Sequence, residues 1–469
     1  MTETTSHSHI SKACLAYLAQ FNEEDSLSKN SLRDYPLARY AAEHWITHAK
    51  SGKIDCTHDL QKMATHLLLH RHVRANWNHI WDIDQPWQWV SLTRIPDGTA
   101  PPLYYATMAC LEVVVRVLLE NHADVNAQGG LHGNALQAAA YQASEAIVKM
   151  LIESGANVNA EGGWFGNALQ AASYGRSEVI VRFLIENGAD VNAQGGLYGS
   201  ALQAASYQRS EAIVEVLIKS GADVNAQGGR YGDALQAAAY QGSEAIVKML
   251  IENGANVNAQ GGSFGNALQA ASCEAIAKML LESGANVNAQ GGLYGNALQS
   301  ASYQRSEAVV KMLLEGGADV NAQGGRYGNA LQAASFQRSE AIAKMLIENG
   351  ADVNAHGGHF GHALQAASHQ RSEAIAKMLI ESGADVDAQG GQFGNALQAA
   401  AYQGSEAIVK MLIERGANVN AQGGFHGSVL QAALVGGSEA IVKMLRENGA
   451  EMGSEPETGR GSETSSRSP

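Results

Sequence analysis

A block of 33 residues repeats down most of this chain. Asn126, Asn159, Asn192, Asn225 and Asn258 stand 33 apart in near-identical contexts. After one interval of 30, Asn288, Asn321, Asn354, Asp387 and Asn420 resume the count. A fixed period of this size is the signature of a solenoid, in which each unit buries its apolar face only against its neighbours. The 51 glycines recur at set places in the block, which separates the pattern from low-complexity sequence. An array of this kind works by presenting a long surface, so the expectation is a binding scaffold and not a catalyst.

Residues 126–158 serve as the type unit. Gly129 and Gly130 open a turn and Gly133 closes it, because glycine reaches backbone angles that other residues reach only with strain. Leu136 to Tyr141 reads as a short Ala-rich helix whose small side chains let neighbouring helices approach closely. Ser144 is placed as the N-cap of a second helix over about Glu145 to Glu153, with Glu145 near its positive end. Ile147, Val148, Met150 and Leu151 form the apolar stripe of that helix, while Lys149 and Glu153 face water. Gly155 follows as a left-handed C-terminal cap. Both helices are too short to be stable alone, so stacking must supply the stability.

With Asn126-Ala127 before the hairpin and Gly188-Ala189-Asp190-Val191-Asn192 after the second helix, the unit resembles an ankyrin repeat. The resemblance implies an all-α solenoid of about eleven helix-turn-helix repeats. It departs at the tetrapeptide that opens helix one. The family pattern is Thr-Pro-Leu-His, and this chain reads Asn134-Ala135-Leu136-Gln137. Asn and Gln can stand in chemically for Thr and His, which bond within and between repeats in the family. The array is assigned to residues 97–452, and its first unit is degenerate, with Pro102-Leu103-Tyr104-Tyr105-Ala106 at the tetrapeptide. One unit is short: Ser272-Cys273-Glu274 stands where others read Ser-Tyr-Gln-Arg-Ser-Glu. That loss is either a built-in hinge or a tolerated deletion.

Residues 1–95 do not repeat and hold five of the six tryptophans, Trp45, Trp77, Trp81, Trp87 and Trp89. Helical patterns lie at about Ile10 to Phe21, Pro36 to Ala49 and Thr57 to His70, with Pro36 suited to a first helical turn. A small helical domain with a tryptophan core that caps the first repeat is expected. The stretch from Tyr35 to Trp45 is similar to the segment before the arrays of large fungal receptor-like proteins that carry a NACHT-type nucleotide-hydrolysing module. No Gly-x-x-x-x-Gly-Lys-Ser/Thr loop occurs in this sequence. Residues 453–469, mostly Gly, Ser, Glu, Thr and Arg, read as a disordered tail.

Comparison of the units locates a candidate partner surface. The position after Gly-Gly varies most, including Trp164, Arg230, Ser263 and Arg326, and a site that accepts such different residues does not lie in a packed core. The next position is aromatic or His, as in Tyr198, Tyr231 and Tyr327. A second ladder closes helix one with Tyr207, Tyr240, Tyr303 and Phe336, followed two residues on by Arg209, Arg305 and Arg338 in three of these units. Hairpin tips and first helices line the concave groove of ankyrin arrays, and Tyr and Arg are favoured in binding hot spots. The competing reading is that these aromatics only pack between repeats.

Other chemistry is set aside. The net charge of −14 lacks the basic stripe that phosphate contacts need, so no nucleic-acid partner is expected. The four cysteines lie far apart without metal-ligand spacing, which fits a reducing compartment. No apolar run approaches the ~20 residues of a membrane helix, and the N-terminus lacks a secretory pattern. A soluble intracellular protein, cytoplasmic or nuclear, is expected. His356, His359, His362 and His369 cluster in one repeat but occupy positions that other residues fill elsewhere, so no metal site is assigned. Glu145, Glu178 and Glu211 recur at every second-helix start, whereas an active site is a unique constellation. No cofactor and no catalytic residue are expected. The leading reading is a non-enzymatic scaffold that binds another protein along its concave face. The alternative is a regulatory or sensor arm of a NACHT-like receptor system without its own nucleotide module. A third reading places an enzymatic activity in residues 1–95.

Overall fold

The computed structural model describes residues 3–23, 31–54, 58–85 and 100–451. Cys56, Trp87, Trp89 and the tail from residue 453 lie outside the described residues. The described residues form 27 helices and no strand. The chain divides into two compact units, Met1–Ala255 and Asn256–Pro469.

The first unit opens with α1 (Glu3–Leu18), α2 (Ser31–Asp34), α3 (Ala38–Ser51), α4 (His58–Leu69) and α5 (Arg71–Ile80). Helix α1 packs on α3 and α4, and Trp45 and Trp77 meet edge to face at 5.7 Å in the buried centre. Trp77 Nε1 donates to the Ala42 carbonyl at 3.0 Å, which satisfies the indole where water cannot. Pro36 does not sit in a first helical turn. Ala38 N–H donates to the Tyr35 carbonyl, and the turn this closes places Pro36 ahead of α3. Helix α5 escapes the periodicity argument because its buried side includes Arg74 and Asn76. Asn76 Nδ2 donates to the carbonyls of Phe21 (3.1 Å) and Glu23 (2.9 Å), and Arg74 donates to the Leu68 carbonyl. Helix α4 then packs against α6 (Pro102–Met108) and α7 (Glu112–Glu120), the first repeated pair.

Eleven helix pairs follow, from α6 and α7 to Val429–Gly436 and Glu439–Glu447. In the type repeat the helices are Ala135–Tyr141 and Glu145–Glu153. Ala138, Ala139 and Ala140 are fully buried, as are Ile147, Val148 and Leu151, while Met150 is half-buried at the edge of the stripe. Lys149 pairs with Glu153 at 3.9 Å across one helical turn in solvent. Gly155 sits at φ 88°, the left-handed cap the sequence requires. Ser144 occupies the N-cap position, but its hydroxyl accepts no hydrogen bond; among the second helices only Ser177 and Ser438 cap with theirs, at 3.4 Å. Ser144 N–H is instead held by the Ala139 carbonyl at 3.1 Å, so the preceding turn fixes the helix entry.

Within each unit two side-chain ladders join most repeats to the next. Asn134 Oδ1 accepts from Gln137 N–H at 2.9 Å and caps helix one. Gln137 is buried and its amide donates to the Ala160 and Gly166 carbonyls of the following repeat, at 3.0 and 3.2 Å. Asn and Gln therefore divide the work, one closing its own helix and the other bridging forward. The exposed ladder uses the Asn of the 33-residue count. Asn159 Nδ2 donates to the Gly188 carbonyl at 2.9 Å, and its Oδ1 accepts from Asp190 N–H at 2.8 Å. Within residues 256–469 the short repeat, whose helix one is only Ala267–Ala270, keeps both ladders. Gln269 reaches the Ala289 carbonyl at 3.0 Å and Asn258 reaches that of Gly284 at 3.0 Å. Stacking onto the next repeat is thus unbroken by the deletion.

Asp387 marks a defect in the exposed ladder. Its carboxylate accepts from Asn418 N–H at 2.7 Å, but it has no N–H with which to reach the carbonyl of Gly416 as Asn354 reaches that of Gly383. Asp387→Asn is expected to restore that bond and to stabilise the second unit by about 1 kcal/mol. A denaturant titration with an unchanged or lowered midpoint would contradict this role for the ladder.

Candidate protein-interaction surface

The hairpin tips are built on backbone bonds. Gly162 N–H donates to the Gly166 carbonyl at 2.8 Å and closes the tip. The residue after Gly-Gly then bonds tip to tip: Trp164 N–H to the Leu131 carbonyl (2.8 Å), Leu197 to Trp164 (2.9 Å) and Arg230 to Leu197 (2.8 Å). In the second unit the run is Leu293 to Ser263, Arg326 to Leu293, His359 to Arg326, Gln392 to His359 and Phe425 to Gln392, at 2.9–3.2 Å. Because only backbone atoms carry this frame, the side chains at the position are free to differ. Trp164 is 47% exposed, Arg230, Arg326, His359 and Gln392 are exposed, and Leu131 and Leu197 are half-buried.

At its start the run is closed by Asp84. Leu131 N–H donates to Asp84 Oδ2 at 3.0 Å, where later repeats offer a carbonyl, and Tyr104 O–H donates to Asp84 Oδ1 at 2.5 Å. Burial pushes the Asp84 pKa up, and the bonds from Tyr104 and Leu131 pull against it. Sequence reasoning missed this residue, since nothing in Asp82-Ile83-Asp84 announces a surrogate carbonyl.

The two aromatic ladders read from the sequence form one zigzag in each unit. In the first it runs through His132, Tyr141, Phe165, Tyr174, Tyr198, Tyr207, Tyr231 and Tyr240, with successive ring centroids 4.5–5.8 Å apart. In the second it runs from Tyr294 through Tyr303, Tyr327, Phe336, Phe360, His369, Phe393 and Tyr402 to His426, at 4.4–6.1 Å. The tip rings form the inner row: Tyr198, Tyr231 and Tyr327 are only 5–6% exposed, and burial followed by the hydrogen bonds they donate to Tyr174, Tyr207 and Tyr303 respectively pushes their phenol pKa values up. These three are packing residues and not freely available contacts, because each lies between two helix-one rings. Tyr207, Tyr303 and Phe336 are half-buried in the outer row, and Tyr240 is exposed. Arg209, Arg305 and Arg338 are exposed and sit at φ 58–62°, in the left-handed turn that Gly242 and Gly404 occupy in other repeats.

The histidines serve this packing. His369 leans on Phe393 at 4.5 Å with the rings tilted by 38°, and His356 meets His362 edge to face at 5.1 Å. Among the described residues no group of three or more His, Cys, Asp or Glu is placed to hold a metal ion. No described helix is long and apolar enough to cross a membrane.

Residues 164–228, 230–291, 268–357 and 363–455 match the family described as ankyrin repeats (3 copies), which covers more than half of the chain. The chain belongs to the ankyrin-repeat family. Residues 103–152 match ankyrin repeats (many copies), so the degenerate first repeat is included. A curated relative is the azaphilone pigments biosynthesis cluster protein L of Monascus ruber, 31% identical over 148 residues. The match covers 29% of this chain and 31% of that protein, so the chain spans about a third of its relative's length. In this ankyrin array the tetrapeptide Gln takes the forward bridging role.

His132 begins the first zigzag and is buried, with Nδ1 unpartnered, and burial lowers its pKa to about 4. An unfolded His binds a proton near pH 6.5, so the unfolded state gains the proton first as pH falls. Stability held above pH 6.5 is therefore lost between about pH 6.5 and 4, on the order of 3 kcal/mol from this residue. His132→Phe, which places the Phe165 ring type at the same position, should flatten that part of the pH dependence of thermal melting. An unaltered acid slope would refute the assignment.

Proposed function

We propose that this ankyrin array is a non-enzymatic scaffold that binds another protein along the groove lined by its hairpin tips and first helices. One observation carries the reading: in each unit a fixed backbone frame displays side chains that vary between repeats and are mostly exposed, from Trp164 and Arg230 to Leu293, Arg326 and His359. A surface in which the frame is constant and the display varies is suited to reading a partner. Trp and Arg on such a frame are the side chains that anchor protein interfaces. Beside them run the edges of the aromatic zigzag and the exposed Arg209, Arg305 and Arg338. A regulatory arm of a nucleotide-hydrolysing receptor system is a second reading, motivated by the similarity of residues 35–45. Under it the same surface would engage such a partner in a nucleotide-dependent way.

Ser263 already stands at the variable position, so the combined variant Trp164→Ser, Arg230→Ser, Arg326→Ser leaves the frame intact. Affinity capture should lose a partner with this variant and keep it with Lys149→Ser, Lys311→Ser, which alters only the second helices. Equal capture by both variants, with melting unchanged, would remove the groove from the reading.

A further inference from the structure

The charges of this acidic chain are distributed unevenly. On the second helices of residues 256–469, each Lys is paired with a Glu one turn on: Lys278–Glu282, Lys311–Glu315, Lys344–Glu348, Lys377–Glu381, Lys410–Glu414 and Lys443–Glu447, all at 3.8–3.9 Å. Arg305, Arg338 and Arg371 behave differently. They are exposed, they follow the outer aromatic row at matching places in three consecutive repeats, and they make no side-chain ion pair among the described residues. Glu307, Glu340 and Glu373, two residues further on, open the second helices and do not pair with them. All three arginines hold φ 58–62°, where Gly404 stands in the same unit at 74°. A left-handed non-glycine residue carries a conformational cost, and the turn imposes it on whichever residue stands there, since Ala143 holds φ 56° at the same place in the type repeat.

A hollow of about 390 Å³ lies in the same unit, walled in part by Phe336 and His369, the ring residues two places before Arg338 and Arg371. Arg326, His359, His369 and His426 reach it, with ring walls that include Phe336 and Tyr402, and no Asp or Glu lines it. Successive rings of the zigzag lean on one another along this wall, while Phe425 stands largely exposed at its end. Guanidinium and imidazole N–H with no carboxylate opposite them favour an anion.

We propose that the groove face of residues 291–427 takes an extended acidic segment of a partner protein, with carboxylates set against Arg305, Arg338 and Arg371. This deepens the scaffold reading and rests on it. Stacked helices lie about 8–10 Å apart, and an extended chain advances about 10 Å in three residues. The geometry therefore selects an acidic residue at every third position, one for each repeat.

The test uses the full chain and a fluorescein-labelled (Glu-Gly-Ser)6 peptide, read by anisotropy at low ionic strength. The comparisons are (Lys-Gly-Ser)6, a peptide of the same composition with its six Glu contiguous, and labelled single-stranded oligo-dT. Arg305→Gly, Arg338→Gly, Arg371→Gly places at each site the residue that position 404 already holds, so it removes charge while relieving backbone strain. The corresponding triple Lys variant keeps the charge. The spaced acidic peptide should bind best, weaken as salt is raised, lose about tenfold or more in affinity with the Gly variant and keep most of it with the Lys variant. Equal binding to the Gly variant, no binding to the parent chain, or tighter binding of oligo-dT would overturn the proposal. If the acidic peptide fails while the serine variant at 164, 230 and 326 still loses a captured protein, the scaffold stands and only the acidic partner falls. If both fail, the scaffold reading falls with it.

Discussion

A buried amide bridge holds the repeats together, and much else follows from it. Gln170 spans from the first turn of its own helix to the Ala193 and Gly199 carbonyls of the next hairpin, at 3.2 and 3.0 Å. Hydrogen bonds in a water-free joint are costly to leave unmade, so this geometry tolerates little displacement. It also dictates the glycines. A Cβ on Gly166 would stand 2.2 Å from Gln170 Oε1 and 2.8 Å from the Gly195 carbonyl carbon, with φ at +97° besides. The hairpin is thin because the bridging side chain must pass it.

Once the joints are fixed, the rings have little choice. Tip and helix-one aromatics are brought within about 5 Å of each other, and each buried ring touches outer-row neighbours from its own and an adjacent repeat. The zigzag covers the alanine-rich first helices, which have little apolar surface of their own to offer. The surface available to a partner is then what remains outside this packing: the variable tip side chains, the ring edges and the left-handed arginines.

The parts of this arrangement that depend on near neighbours were legible in the sequence. The second helix, Glu145–Glu153, and the left-handed Gly155 follow from local spacing alone. Features that join distant residues were not. Tyr174 and Tyr198 lie 24 apart in sequence and read as members of separate ladders, yet their rings sit at 5.0 Å. Helix α5 was hidden because Arg74 and Asn76 are buried through bonds to distant carbonyls, which no apolar period records. Asp84 acts as a carbonyl only in the presence of Leu131 and Tyr104, 47 and 20 residues away. In the candidate surface, variability at the tip pointed to exposure at Trp164, Arg230 and Arg326, while the recurrence of Tyr198, Tyr231 and Tyr327 left contact and packing both open, and their burial decides for packing.

The uniform joint has a consequence for how such a chain can change. Within each unit most repeats end in the same bonding partners with which the next begins, so such a block can be lost, gained or exchanged in frame without creating a mismatched seam. The short repeat shows the tolerance, since Gln269 and Asn258 make their usual bonds across a block three residues smaller. Recombination between blocks would then reorder the displayed side chains as whole cassettes, altering what is read while leaving the reading frame of the structure untouched.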